Sequence, residues 1–152
     1  GTTNHVVYGN LAAICGMQNR FEELVELINK ALELEPNYPE AHNYLGNALK
    51  QKGELMAAID SYKLALKLNP NYPDAHNNLG VALRDRGEID SAIVSYKKAL
   101  RIKPGYPNAF NDLGIALKDQ GDLMGAISSY KSALVLKPNS PDVQLRPSKG
   151  SY

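Results

Sequence analysis

Pro36, Pro70, Pro104 and Pro138 recur at a constant interval of 34 residues. A chain with such a period is confined to architectures made by stacking one supersecondary unit on the next. Most other marked positions keep the same step: Gly46, Gly80 and Gly114; Gly53, Gly87 and Gly121; Ala58, Ala92 and Ala126; Tyr62, Tyr96 and Tyr130. Residues 39–72 aligned without a gap on 73–106 share 19 identities in 34 positions, which compositional bias does not produce.

Within a unit the apolar residues have helical spacing twice over, first at Ala41, Leu45, Ala48 and Leu49, then at Leu55, Ala58, Ile59, Tyr62, Ala65 and Leu66. Each unit therefore reads as a helical hairpin. Gly53, Gly87 and Gly121 follow the first helix, where a left-handed residue closes it, and Glu54, Glu88 and Asp122 come next, at the positive start of the second. The second helix stops near Asn69-Pro70, Lys103-Pro104 or Lys137-Pro138, because proline lacks an amide hydrogen. Pro39, Pro73, Pro107 and Pro141 suit the first turn of the helix that follows. The pattern predicts eight helices in four antiparallel pairs, near 6–18, 21–35, 40–52, 55–68, 74–86, 89–102, 108–120 and 123–136. Gly46, Gly80 and Gly114 cost about 1 kcal/mol each in helix propensity. Close approach of two helices is the compensation, with Tyr62, Tyr96 and Tyr130 as core bulk opposite them.

The run Ala41-His42-Asn43-Tyr44-Leu45-Gly46, with Ala58, Tyr62, Ala65 and Pro70, resembles the tetratricopeptide repeat motif, and it recurs through Ala75 to Pro104 and Ala109 to Pro138. Residues 5–38 are a degenerate unit: Leu11, Ala12, Ala31 and Pro36 fit, but Asn19 replaces the turn glycine, and Leu24 and Ile28 replace the small and aromatic residues. The resemblance implies an all-α, right-handed superhelical solenoid of four antiparallel helix-turn-helix repeats (5–38, 39–72, 73–106 and 107–138), with 139–152 as a C-terminal tail or the truncated start of a further repeat. The wording of the repeats, with His42-Asn43, His76-Asn77-Asn78-Leu79-Gly80 and Ser95-Tyr96-Lys97, is similar to repeats attached to O-linked N-acetylglucosamine transferases and to those of many bacterial repeat proteins. No segment of this chain resembles the nucleotide-sugar-binding domain of such an enzyme, and the sequence reads as a piece of a longer protein.

Composition and charge narrow the function. With 17 basic and 16 acidic residues, no overall field draws the chain to nucleic acid or to an anionic membrane. No apolar run approaches the roughly 18 residues of a membrane span, and the expectation is a soluble, cytoplasmic chain without cofactor. Cys15, in an apolar stretch, reads as a small buried hydrophobe. No phosphate loop, dinucleotide fingerprint, zinc spacing or nucleophilic triad is recognisable, so the chain reads as a non-enzyme. His42 and His76 occupy equivalent places on helices about 8 to 10 Å apart, too far to share a metal comfortably, and they read as packing residues.

The family's concave surface, lined by the first helix of each unit, is expected to hold an extended peptide or a partner helix. Asn43, Asn47, Asn77, Asn78, Asn111 and Asp112 face it, and a row of amides offers donors and acceptors to a peptide backbone. As solvated positions, Asn77 and Asn111 would be replaceable by alanine with little change in melting. The lysines and arginine that grip a chaperone's C-terminal carboxylate in one variant of the family are missing: Gly9, Asn43, Asn77 and Asn111 stand at the lysine place, Asn78 or Asp112 at the arginine place. Lys50, Arg84 and Lys118 form a basic row read as a solvated rim. The alternatives are a substrate-selecting arm of a larger glycosyltransferase, or a self-assembly unit that associates weakly through its C-terminal end, with Tyr130, Leu134, Val143 and Leu145 at the contact.

Overall fold

The computed structural model describes residues 4–137. Eight helices follow one another: α1 Asn4–Met17, α2 Phe21–Leu34, α3 Pro39–Gln51, α4 Leu55–Leu68, α5 Pro73–Asp85, α6 Ile89–Ile102, α7 Pro107–Gln120 and α8 Leu123–Leu136. There is no strand among the described residues. Consecutive helices pair into four hairpins, and the second helix of each packs on the first helix of the next. Among the described residues no helix packs against one more than two places away in the chain.

The first helices of neighbouring hairpins also touch each other (α1 with α3, α3 with α5, α5 with α7), whereas the second helices do not. The stack therefore curves with α1, α3, α5 and α7 on its inner, concave side.

Each hairpin turn closes the same way. In the second hairpin the amide of Gly53 donates to the Lys50 carbonyl (3.0 Å) and that of Glu54 to the Leu49 carbonyl (2.9 Å), the paired bonds of a Schellman cap. The residue between them must be left-handed: φ is 84° at Gly53, 87° at Gly87 and 93° at Gly121. Asn19 takes the same conformation at φ 59°, and Asn19 and Arg20 repeat the paired bonds to Gly16 and Cys15. Asparagine tolerates this region because its short amide can bond locally, so the degenerate unit keeps its turn without glycine. Tyr38, Tyr72 and Tyr106 precede the helix-starting prolines Pro39, Pro73 and Pro107.

The core follows the repeat. Tyr62 and Tyr96 are fully buried against the backbone of Gly46 and Gly80 in the facing helix, where no side chain intervenes. In the first hairpin Leu24 and Ile28 supply the bulk, beside Ala12 and the buried Cys15. Both ends are open. Ile59 and Ile93 are 3% and 7% exposed, but Ile127, their equivalent in α8, is 46% exposed. Tyr130 and Leu134 beside it are half-buried, while Val143, Leu145 and the tail that was expected to carry them lie outside the described residues. At the other end Val7, Leu11 and Ile14 are exposed; their equivalents Ala41, Leu45 and Ala48 pack against the first hairpin.

Candidate groove on the first helices

The six polar residues expected in the groove all lie on α3, α5 and α7, but they are not alike. Asn43 and Asn77 are only 3% and 7% exposed. Asn43 Nδ2 donates to the Tyr72 hydroxyl (3.2 Å), Asn78 Nδ2 donates to Asn43 Oδ1 (3.0 Å), and Asn77 Nδ2 donates to Asp112 Oδ2 (3.2 Å). These bonds cross from one hairpin to the next. The view of Asn77 as a solvated position is therefore corrected: it is part of the joint between the third and fourth hairpins, and its Oδ1 is buried without a partner.

The remaining amides keep unused capacity. Asn47 Oδ1 accepts from the Tyr62 hydroxyl (2.6 Å), which leaves its NH2 group as a donor. Asn78 has committed one donor hydrogen and retains its carbonyl oxygen as an acceptor. Between α5 and α7, Asn77, Asn78, Val81, Asn108, Asn111 and Asp112 line a polar depression of about 310 Å³. Burial pushes the Tyr62, Tyr72, Tyr96 and Tyr106 hydroxyls well above the usual tyrosine range, so they stay protonated donors. The Tyr96 hydroxyl is buried and unpartnered, because Val81 stands where the second hairpin has Asn47.

The histidines belong to the joints. His42 Nε2 lies 3.1 Å from the Pro36 carbonyl and His76 Nε2 lies 2.9 Å from the Pro70 carbonyl, so each ring ties its helix to the preceding turn. Among the described residues no three His, Cys, Asp or Glu side chains gather as a metal site would need. The basic row is also uneven. Arg84 Nε pairs with Asp119 Oδ2 at 3.2 Å, while Lys50 is half-buried and makes no ion pair among the described residues.

Sequence reasoning missed a second concavity. Between α1 and α3, at their turn end, lies a cleft of about 520 Å³. Its walls are largely apolar (Ala13, Gly16, Met17, Phe21, Leu24 and Tyr44), and Asn47, Lys50 and Gln51 stand on the α3 side. The signal was in the departures of the first unit. Gly16 stands where the later units have Lys50, Arg84 and Lys118, and Ala13 where they have Asn47, Val81 and Ile115.

A family model described as a TPR repeat matches residues 46–84 and 81–121, and two described as a tetratricopeptide repeat match 27–60 and 5–38. No curated protein sequence matches the chain. Among solved structures, the crystal structure of MamA is 31% identical, with 90% of this chain and 80% of that chain covered at a TM-score of 0.79. A chain in the crystal structure of the APC/C hetero-tetramer Cut9-Hcn1 is 20% identical (92% and 28% covered, TM-score 0.87), which shows the fold alone. The same holds for a structure from the functional characterisation of Pseudomonas aeruginosa pilF, 23% identical with 92% and 64% covered and a TM-score of 0.86. The repeat models, the shared sequence with MamA and the eight-helix solenoid together place the chain in the tetratricopeptide repeat family, whose stacked hairpins serve as protein-interaction scaffolds.

Proposed function

We propose that the chain binds an extended peptide, or one face of a partner helix, along α3, α5 and α7 and performs no chemistry itself. The observation that carries this reading is the set of amide groups left without a bond among the described residues: the NH2 of Asn47, the carbonyl of Asn78, and both ends of Asn108 and Asn111. An extended backbone offers donors and acceptors in alternation, and a row of such groups meets it with little regard to side chains.

The test is affinity capture with the isolated repeats, mass spectrometry of what is retained, and a chemical-shift titration with the recovered segment. Shifts should fall on α3, α5 and α7, and replacing Asn78 and Asn111 by alanine should weaken binding. Shifts clustered instead around Ser95, Lys98 and Ser132 would put the ligand on the second helices and overturn the assignment of the face.

A second reading, self-association through the ends, is favoured by the exposure of Ile127 where its equivalents are covered. Association costs an estimated 4 to 15 kcal/mol, and a few apolar side chains at about 1.5 to 3 kcal/mol each offset only part of it. The contact should therefore be weak. Light scattering up to millimolar protein should show mass rising with concentration, and Ile127→Glu should abolish the rise; a strict monomer throughout removes this reading.

A further inference from the structure

We propose that the cleft between α1 and α3 is an anchor site for a bulky aliphatic or aromatic side chain that stands next to an aspartate or glutamate in the bound peptide. The inference rests on the groove reading above and gives it a sequence preference.

The apolar part follows from two small residues. At Gly16 and Ala13 the first unit lacks the larger side chains that later units carry at these places, and the cleft is lined by Phe21 and Leu24. A pocket of this size with apolar walls and a few polar groups at one side is the ordinary form of a ligand site.

The charged part follows from Lys50. One hairpin further along, its equivalent Arg84 is neutralised by Asp119. Lys50 has no such partner among the described residues, although Asp85 stands in the place equivalent to Asp119. It is half-buried and lines the cleft on its α3 side. The unused NH2 of Asn47 adjoins it in the lining. A cation and an amide donor beside an apolar recess complement a carboxylate that follows an apolar side chain. A single cation here is not the paired lysine and arginine clamp of the chaperone-binding variant. Because Asn47 belongs both to the cleft and to the amide row, the occupant is an internal peptide segment with a side-chain carboxylate, not a free chain end.

The experiment is selection from a phage-displayed library of random dodecapeptides, followed by binding of the selected peptides, acetylated and amidated, by fluorescence polarisation. The selected sequences should be enriched in Leu, Ile, Phe or Met adjacent to Asp or Glu. The double variant Ala13→Ile/Gly16→Lys fills the cleft with residues that later repeats carry at these places. A β-carbon at Gly16 would stand 3.1 Å from Cδ1 of buried Leu24, where those repeats have alanine. The variant's circular dichroism and urea midpoint are therefore compared with the wild type, and Ala13→Ile alone takes its place if it is destabilised. It should lower affinity roughly 10- to 100-fold, the worth of one buried apolar side chain. Lys50→Gln should lower it about 2- to 5-fold, an effect that fades at 0.5 M salt. Peptides that bind the groove, shift α5 and α7 and ignore the double variant would sink the anchor site and leave the groove reading standing. If no peptide is selected, or the shifts lie on the second helices, both fail.

Discussion

A β-carbon built on Gly80 stands 2.5 Å from Cε1 of Tyr96, closer than any non-bonded carbon pair can sit. The ring cannot retreat, since Tyr96 is fully buried. Gly80→Ala should therefore destabilise the chain by up to about 2 kcal/mol, an overpacking cost of about 1 to 3 kcal/mol less about 1 kcal/mol of regained helix propensity. Urea unfolding followed by circular dichroism measures it. A stabilised Gly80→Ala would mean the two helices are free to separate.

The tyrosine hydroxyls should behave oppositely in adjacent hairpins. Tyr62→Phe removes the 2.6 Å bond to Asn47 and should cost about 1 kcal/mol. Tyr96→Phe removes a buried hydroxyl without a partner and should be neutral or stabilising. Val81→Asn should then restore a dependence on the Tyr96 hydroxyl. Equal losses for the two tyrosines in chemical unfolding would contradict the assigned partners.

Asn77→Ala should destabilise by about 0.5 to 1.5 kcal/mol, because it removes a bond to the Asp112 carboxylate across a joint, while loss of its unpartnered oxygen offsets part of this. Asn111→Ala should stay within about 0.5 kcal/mol. The pair separates the joint from the groove, and equal melting of both variants would argue against the distinction.

His76 gives a pH signature. Burial, opposed by its bond to the Pro70 carbonyl and assisted by Lys98 and Arg101, holds its pKa below the ordinary 6.5. Above that value neither state is protonated and the folded chain bears no penalty. As pH falls below 6.5 the unfolded chain takes up a proton that the folded one resists, so stability drops toward the lower folded pKa. Phe110 occupies the equivalent place in the fourth hairpin, which makes His76→Phe a compatible replacement. Urea midpoints between pH 7.5 and 5 should fall less steeply in the variant; parallel slopes would remove His76 as the source.

The helices were legible because each is announced by punctuation as well as by periodicity: Pro39 and Gly53 bracket α3, and the structure begins that helix at Pro39 and ends it at Gln51. The Tyr62–Gly46 contact was legible for a similar reason, since a helical glycine needs a large partner to justify it. The site was less so. Periodicity places Asn43 and Asn47 on one side of α3, but it does not say that Asn43 is absorbed by Tyr72 of the next hairpin while Asn47 keeps a free donor. That division depends on side chains 29 and 15 residues away, and on single departures such as Val81 and Gly16.

Among the described residues no helix touches one more than two places away, so no helix contact reaches beyond the neighbouring hairpin. Loop-closure entropy is therefore small at each step, and such low-contact-order chains fold in microseconds to milliseconds. The same locality means no hairpin has to wait for a distant one. Folding can begin at whichever joint is tightest, and a lesion in one hairpin stays with its immediate neighbours instead of unmaking the whole chain.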